Sequence, residues 1–214
     1  GVQTCALPIW YNQFFKRAFD LSVATVGTIA ISPILLGIAI AIKASSPGPA
    51  FYAHRRIGKD GIYFNCYKFR SMVVDSDRRL QEYLRANPEA AKEWEETHKL
   101  KHDPRVTKIG AFLRKTSLDE LPQLFNVIRG QMSLVGPRPI VDEEVIKYDV
   151  FFSDYTMVRP GMTGLWQTSG RSDTSYSRRV RLDAWYVRNW NIWLDISLLV
   201  KTVRVVLSSH SGAY

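Results

Sequence analysis

LSVATVGTIAISPILLGIAIAI, residues 21–42, decides the architecture: 22 consecutive positions carry no charge. One helix of that length spans a hydrocarbon core. Pro33 removes a backbone donor and crowds the preceding turn, so the Ser32–Pro33 step predicts a bend midway. Lys16 and Arg17 precede the stretch and Lys43 follows it. Positive residues mark the cytoplasmic side, and here both ends carry them. Each half reaches about 17 Å, half of a bilayer core. The residues therefore predict a membrane helix over 10–43, broken at Ser32 and Pro33, that enters one leaflet and returns to the same face. The Ser22 or Ser32 hydroxyl would serve carbonyls freed near the break. A kinked helix that crosses fully is the alternative. A secretory signal peptide is excluded by length and by the lack of a small-residue cleavage site.

Upstream, GVQTCALPI (1–9) resembles the translation of a sequencing adaptor and is set aside as an artefact. On that expectation the true N-terminus is missing, and Cys66 is a lone, packed thiol. Downstream, FYAHRRI and IYFNCYKF predict a β-hairpin closed by Asp60–Gly61. Residues 75–96 predict an amphipathic helix or helix pair interrupted at Asn87–Pro88. A basic run over 99–115 leads into a helix, LDELPQLFNVI, and then into the turn GPRP. RPGMTGLWQTSGR (159–171) reads as strandless. The last forty residues read as amphipathic helix, with Trp185, Trp190 and Trp193 and an ending charged at Asp195, Lys201 and Arg204. Such an ending lies on a membrane more readily than it crosses one. The expected class is α+β and mainly helical, with a small antiparallel hairpin, a re-entrant N-terminal helix and interfacial amphipathic helices. Residues 44–214 form one domain.

Composition narrows the function. At 46% hydrophobic, 214 residues bury a real core. Lys plus Arg number 29 against 20 acids, a net charge of +9. That excess calls for an anionic partner: nucleic acid, a phosphorylated small molecule or an anionic membrane. Two cysteines make neither a disulfide framework nor a cysteine-rich zinc site.

SLDELPQL (117–124) is the chemical centre. Ser117 with Glu120 three positions on fits a capping box. Asp119, in the first turn, is also placed to stay ionised beside a phosphoryl group and to attack it. Glu120 adds a second hard oxygen suited to Mg²⁺. Cations surround this pair in sequence: Arg114 before it, and Arg138, stiffened between two prolines, after it. Lys68 and Arg70 in KFRSM are further candidate phosphate ligands. Gln167 beside Trp166, with Arg171, Asp173, Arg178 and Arg179, is placed to reach a nucleotide, although a packed Trp166 explains that residue as well. His98 and His102 are spaced as a zinc pair but lack a third ligand.

DLSVATVG…SP, KFRSM, DPRVTKIGAFLRKTSLDELPQL, GQMSLVGPRP and RPGMTGLWQTSGRSD stand in the order seen in one family. From about Lys16 to Tyr214 the chain resembles the bacterial sugar transferases of the monotopic phosphoglycosyl transferase family. The resemblance implies that a hexose 1-phosphate passes from a UDP-hexose to undecaprenyl phosphate through a covalent intermediate on Asp119. Such a step initiates O-antigen, capsule or exopolysaccharide synthesis. Glu120 matches the second position of the acidic pair, which with Asp119 would hold Mg²⁺. Arg138, Lys68, Arg70 and Arg114 would bind phosphate, and Gln167, Arg171 and Asp173 the nucleotide sugar. Ser32 and Pro33 match the family's break in its re-entrant helix. The expected location is the cytoplasmic face of the bacterial inner membrane, with no nucleic acid partner expected and the oligomeric state open, a homodimer being the form that related enzymes take. The 75–101 insert and the ending are most similar to members that transfer galactose 1-phosphate. No residue separates galactose from glucose by a physical argument, so UDP-glucose stays open. So does a non-catalytic scaffold in a glycan pathway.

Overall fold

The protein is described from a computed structural model covering residues 10–97, 100–169 and 174–207. Helix α1 (Trp10–Ser45) contains the entire apolar stretch and continues across Ser32–Pro33. Proline thus sits inside a stretch that is helical on both sides of it. The reason is local. Pro33 deprives the Ile29 carbonyl of its helical N–H, and the Ser32 hydroxyl donates to that carbonyl at 2.8 Å. Among the described residues, α1 is the one helix long and apolar enough to cross a membrane. Val26, Ile29, Leu36 and Ile40 are each at least 60% exposed, so protein does not cover this face.

The opposite face is seated on the rest of the chain. Ala24 packs in a core with Leu124, Val127, Leu134 and Leu198. Leu35 and Ile42 join a second core with Phe69 and Leu113. The amino-terminal end of α1 is tied by a buried polar knot. Lys16 Nζ donates to Asp195 at 2.7 Å and to Asp20 at 3.3 Å. Asp20 also accepts the Ser133 hydroxyl at 2.7 Å, and Asp195 accepts Tyr186 at 2.7 Å and Trp190 at 3.1 Å.

Strands β1 (Phe51–Ile57) and β2 (Tyr63–Phe69) form the antiparallel hairpin. Its turn places Asp60 and Gly61 at φ 57° and 73°, the left-handed pair that an Asp–Gly turn favours. Helices α2 (Ser76–Ala86) and α3 (Pro88–Thr97) part at Asn87, as the Asn–Pro step predicts. Next come α4 (Lys108–Thr116), α5 (Gln123–Ile128), β3 (Ser133–Val135), α6 (Asp142–Tyr148) and α7 (Phe152–Thr156). The stretch read as strandless holds β4 (Gly161–Thr163), paired parallel to β3. Three residues are too few for a periodic signal. The pairing rests on glycine instead, because a Cβ on Gly161 would collide with the Gly136 backbone. Helices α8 (Tyr176–Arg188) and α9 (Ile192–Leu207) close the described chain. Trp185 and Trp193 are 49% and 73% exposed, whereas Trp190 is buried.

Candidate active site

Helix α4 sets the position of the acidic pair. Thr107 caps it by accepting the Gly110 N–H at 2.9 Å, and its own N–H donates to the Ser71 carbonyl at 3.1 Å. Gly110 lies directly on Ser71, where any Cβ would strike the carbonyl. One turn on, Arg114 Nε donates to the Ser71 hydroxyl at 2.8 Å. The helix then ends at Ser117, whose φ of 57° is left-handed and whose N–H returns to Arg114 and Leu113. The capping box is thus not formed: Ser117 ends α4 and leads into the next turn, but its side chain accepts no capping hydrogen bond. Leu118–Glu120 is a single 3₁₀ turn, and the helix expected over 118–128 begins at Gln123.

That turn gives the two carboxylates different surroundings. Glu120 accepts Lys68 Nζ at 2.6 Å and keeps 28% of its side chain exposed. Burial pushes its carboxyl up, but Lys68, Arg138 and Arg56 together hold it below the usual glutamate range. Among the described residues no other side chain hydrogen-bonds or ion-pairs with Asp119. Burial raises its carboxyl above the usual range, with Glu120 adding to the rise and Lys68 and Arg114 opposing it. Adjacent carboxyls driven apart in this way mark distinct chemical roles.

Both face a cleft of about 880 Å³ that Lys68, Arg114, Arg138 and Gln167 also line. Arg70 reaches the same cleft, but its terminal nitrogens donate to the Ser46 and Pro47 carbonyls at 2.9 and 2.7 Å. This residue clamps the exit of α1. Trp166 is buried yet lines the cleft beside Gln167, with Arg179 4.6 Å and Arg138 6.0 Å from its ring. Arg171, Asp173 and His98 lie outside the described residues. Reading the sequence for basic runs missed His54, Arg56 and Ser71, all in the cleft wall. Strand alternation in FYAHRRI was the available signal: Tyr52, His54 and Arg56 are two apart, and all three line the cleft.

No group of three metal-ligating side chains occurs among the described residues. Mg²⁺ does not require one, since it binds one or two carboxylates together with substrate phosphates and water. Asp119 and Glu120, adjacent and open to the cleft, fit that mode.

Lys68→Ala removes the cation that lowers both carboxyls. The expected result is a loss of about 10² in rate, the scale of one lost preorganised charge contact. Because both carboxyls then titrate higher, the acid limb of the pH–rate profile moves to higher pH. A pH series of the catalysed rate measures this, and an unmoved limb would contradict the pairing.

The chain matches the sequence profile of the family described as bacterial sugar transferase over residues 11–209. It is 53% identical over 206 residues to UDP-galactose-lipid carrier transferase of Erwinia amylovora, covering 95% of this chain and 42% of that protein. It is 52% identical over 203 residues to undecaprenyl-phosphate galactose phosphotransferase of Salmonella typhimurium, with 95% and 42% covered. UDP-glucose:undecaprenyl-phosphate glucose-1-phosphate transferase of Escherichia coli is 41% identical over 201 residues, with 90% and 40% covered. The chain spans about two-fifths of the length of these curated relatives. With a match across nearly its whole described length and an acidic pair set among cations at a cleft, the chain belongs to the bacterial sugar transferase family.

Proposed function

We propose that the protein transfers a hexose 1-phosphate, with galactose as the sugar, from a UDP-hexose to undecaprenyl phosphate at a membrane surface. The observation that carries this is the split pair: Asp119 unengaged and Glu120 held by Lys68, under Arg56, Arg114 and Arg138. An Asp119 oxygen attacks the β-phosphorus of the UDP-hexose. The bond from that phosphorus to the bridging oxygen breaks, and UMP leaves with the electron pair. The hexose phosphate is now an acyl phosphate on Asp119. A phosphate oxygen of the lipid attacks the same phosphorus and the bond to Asp119 breaks, regenerating the carboxylate and giving the lipid diphosphate-hexose. Arg138, Arg114 and Lys68 offset charge on the transferred phosphoryl group. Mg²⁺ held by Glu120 and Asp119 would supply further charge neutralisation at the phosphates.

The membrane setting follows the same logic. One substrate stays in the bilayer, and α1 exposes an apolar face while its other face seats the domain that carries Asp119. A re-entrant path for α1, with both ends at the cytoplasmic face of the inner membrane, keeps Lys16, Arg17 and Lys43 on one side. The Erwinia and Salmonella relatives, named for galactose, exceed in identity the Escherichia coli relative named for glucose, which favours galactose. The test is transfer of label from UDP-galactose and UDP-glucose to undecaprenyl phosphate in detergent with Mg²⁺. Label in lipid from UDP-galactose is the expected outcome. Label from UDP-glucose alone overturns the sugar, and label from neither overturns the reaction.

A further inference from the structure

Strand β2 has one edge paired to β1, and its other edge leaves backbone N–H and C=O groups to satisfy. Asn126, fully buried on α5, meets that second edge with its carboxamide. Its Nδ2 donates to the Asn65 carbonyl at 2.7 Å, and its Oδ1 accepts the Tyr67 N–H at 3.0 Å. These two backbone groups, on either side of Cys66, are the ones a neighbouring parallel strand would engage. The side chain thus stands in for a third strand. Chemistry fixes its orientation, because the Tyr67 N–H can only donate and the Asn65 carbonyl can only accept. The remaining amide proton goes to Gln131 Oε1 at 2.7 Å, beyond the end of α5.

Both ends of this link lie next to the acidic site. Tyr67 directly precedes Lys68, whose Nζ sits 2.6 Å from Glu120. Asn126 is joined to Glu120 by consecutive hydrogen-bonded turns, in which Leu121 N–H donates to Leu118, Leu124 to Leu121 and Phe125 to Pro122. Strand β2 and the segment 118–128 are therefore cross-linked twice, once through Lys68 and Glu120 and once through Asn126. The two links differ in stiffness. Lys68 reaches out on a flexible stem and keeps 24% of its side chain exposed, whereas the carboxamide is short, buried and bonded on every side. Arg129 also reaches Tyr67, at 2.8 Å, but that contact is exposed and grips the hydroxyl rather than the backbone.

We propose that Asn126 is a positioning residue: its carboxamide holds the backbone of β2 on α5 and so sets where Lys68 meets Glu120 and the transferred phosphoryl group. This rests on the reading that Lys68 serves the transfer reaction.

The test is a double-mutant cycle on kcat and KM for transfer of label from UDP-galactose to undecaprenyl phosphate, with thermal midpoints measured in parallel. Asn126→Ala is expected to lose about tenfold or more in kcat in the parent and less than about threefold in a Lys68→Ala background. A smaller folded fraction would cut both backgrounds alike, so the difference isolates the path through Lys68. Gln131→Leu removes the third hydrogen bond of Asn126 and leaves both contacts to β2. It is expected to keep kcat within about threefold of the parent, whatever it costs in the midpoint. The proposal is overturned by an Asn126→Ala loss of equal size in both backgrounds, by no loss in the parent, or by a loss carried by KM alone. A Gln131→Leu loss matching that of Asn126→Ala overturns it too. Full activity in Lys68→Ala alone overturns the underlying role of Lys68 and the proposal with it, a separate readout. Should Asn126→Ala not fold, Asn126→Asp keeps the size of the side chain, removes both amide protons and runs through the same cycle with the same criteria.

Discussion

Asp119→Asn is expected to lose at least about 10³-fold in transfer while folding as well as the parent. The amide is isosteric and lacks the lone-pair charge that attacks phosphorus. The variant also gives up one of the two carboxylates that would hold Mg²⁺, but the fold loses nothing, because among the described residues Asp119 has no side-chain hydrogen bond or ion pair. The stability side has a definite sign. Burial raises the folded-state pKa of Asp119 above its ordinary value. Such a group contributes its stability below the unfolded pKa and loses it as pH rises through the folded one. At neutral pH the carboxylate therefore opposes folding, and the Asn variant should melt at the same temperature or higher. Transfer assays and thermal scans at pH 7 check both halves. An active Asn variant would remove the nucleophile from the account, and a strongly destabilised one would make its inactivity uninformative.

The second large effect is structural and lies far from the cleft in sequence. Lys16 is 7% exposed and bridges Asp195 and Asp20, which are 0% and 1% exposed. Lys16→Met leaves two buried carboxylates without their cation. Removing one partner of a buried pair costs about 3–5 kcal/mol, the magnitude that follows when the remaining charge cannot reach water. For a chain of this size that is a fall of roughly 10 °C in the thermal midpoint. The effect should also reach function, since the knot joins α1 to β3 through Ser133 and to α8 through Tyr186. Adding Asp195→Asn removes one orphaned charge and should restore part of the loss. Thermal unfolding in detergent decides it: a Lys16→Met midpoint equal to that of the parent would show that the ions are solvated rather than buried.

Much of this was legible where chemistry is local. An uncharged run of 22 residues has few alternatives to a membrane helix, and α1 contains it entirely. The Asp60–Gly61 step specifies a left-handed turn, and the hairpin formed there. Asp119 and Glu120 were visible because two adjacent acids amid cations are unusual, and both line the cleft. What stayed hidden depends on partners distant in sequence. Ser117 reads as the start of a helix, and the end of α4 that it also forms, in left-handed backbone, carries no signal in sequence. Arg70 lines the cleft as its motif suggested, but the bonds of its terminal nitrogens to the Ser46 and Pro47 carbonyls are not legible in sequence. At Pro33 the partner is local but equally unmarked: the Ser32 hydroxyl takes up the Ile29 carbonyl that proline leaves free.

The central claim is that Asp119 becomes covalently phosphorylated, and the most direct test is the intact mass of the protein after exposure to UDP-galactose and Mg²⁺ without lipid acceptor. The account predicts an added hexose phosphate on the parent, mapped to the peptide containing Asp119. It predicts no adduct on Asp119→Asn, and loss of the adduct with formation of product when undecaprenyl phosphate is added. An unmodified parent that releases UMP only when both substrates are present would mean direct transfer between them, and would contradict the claim.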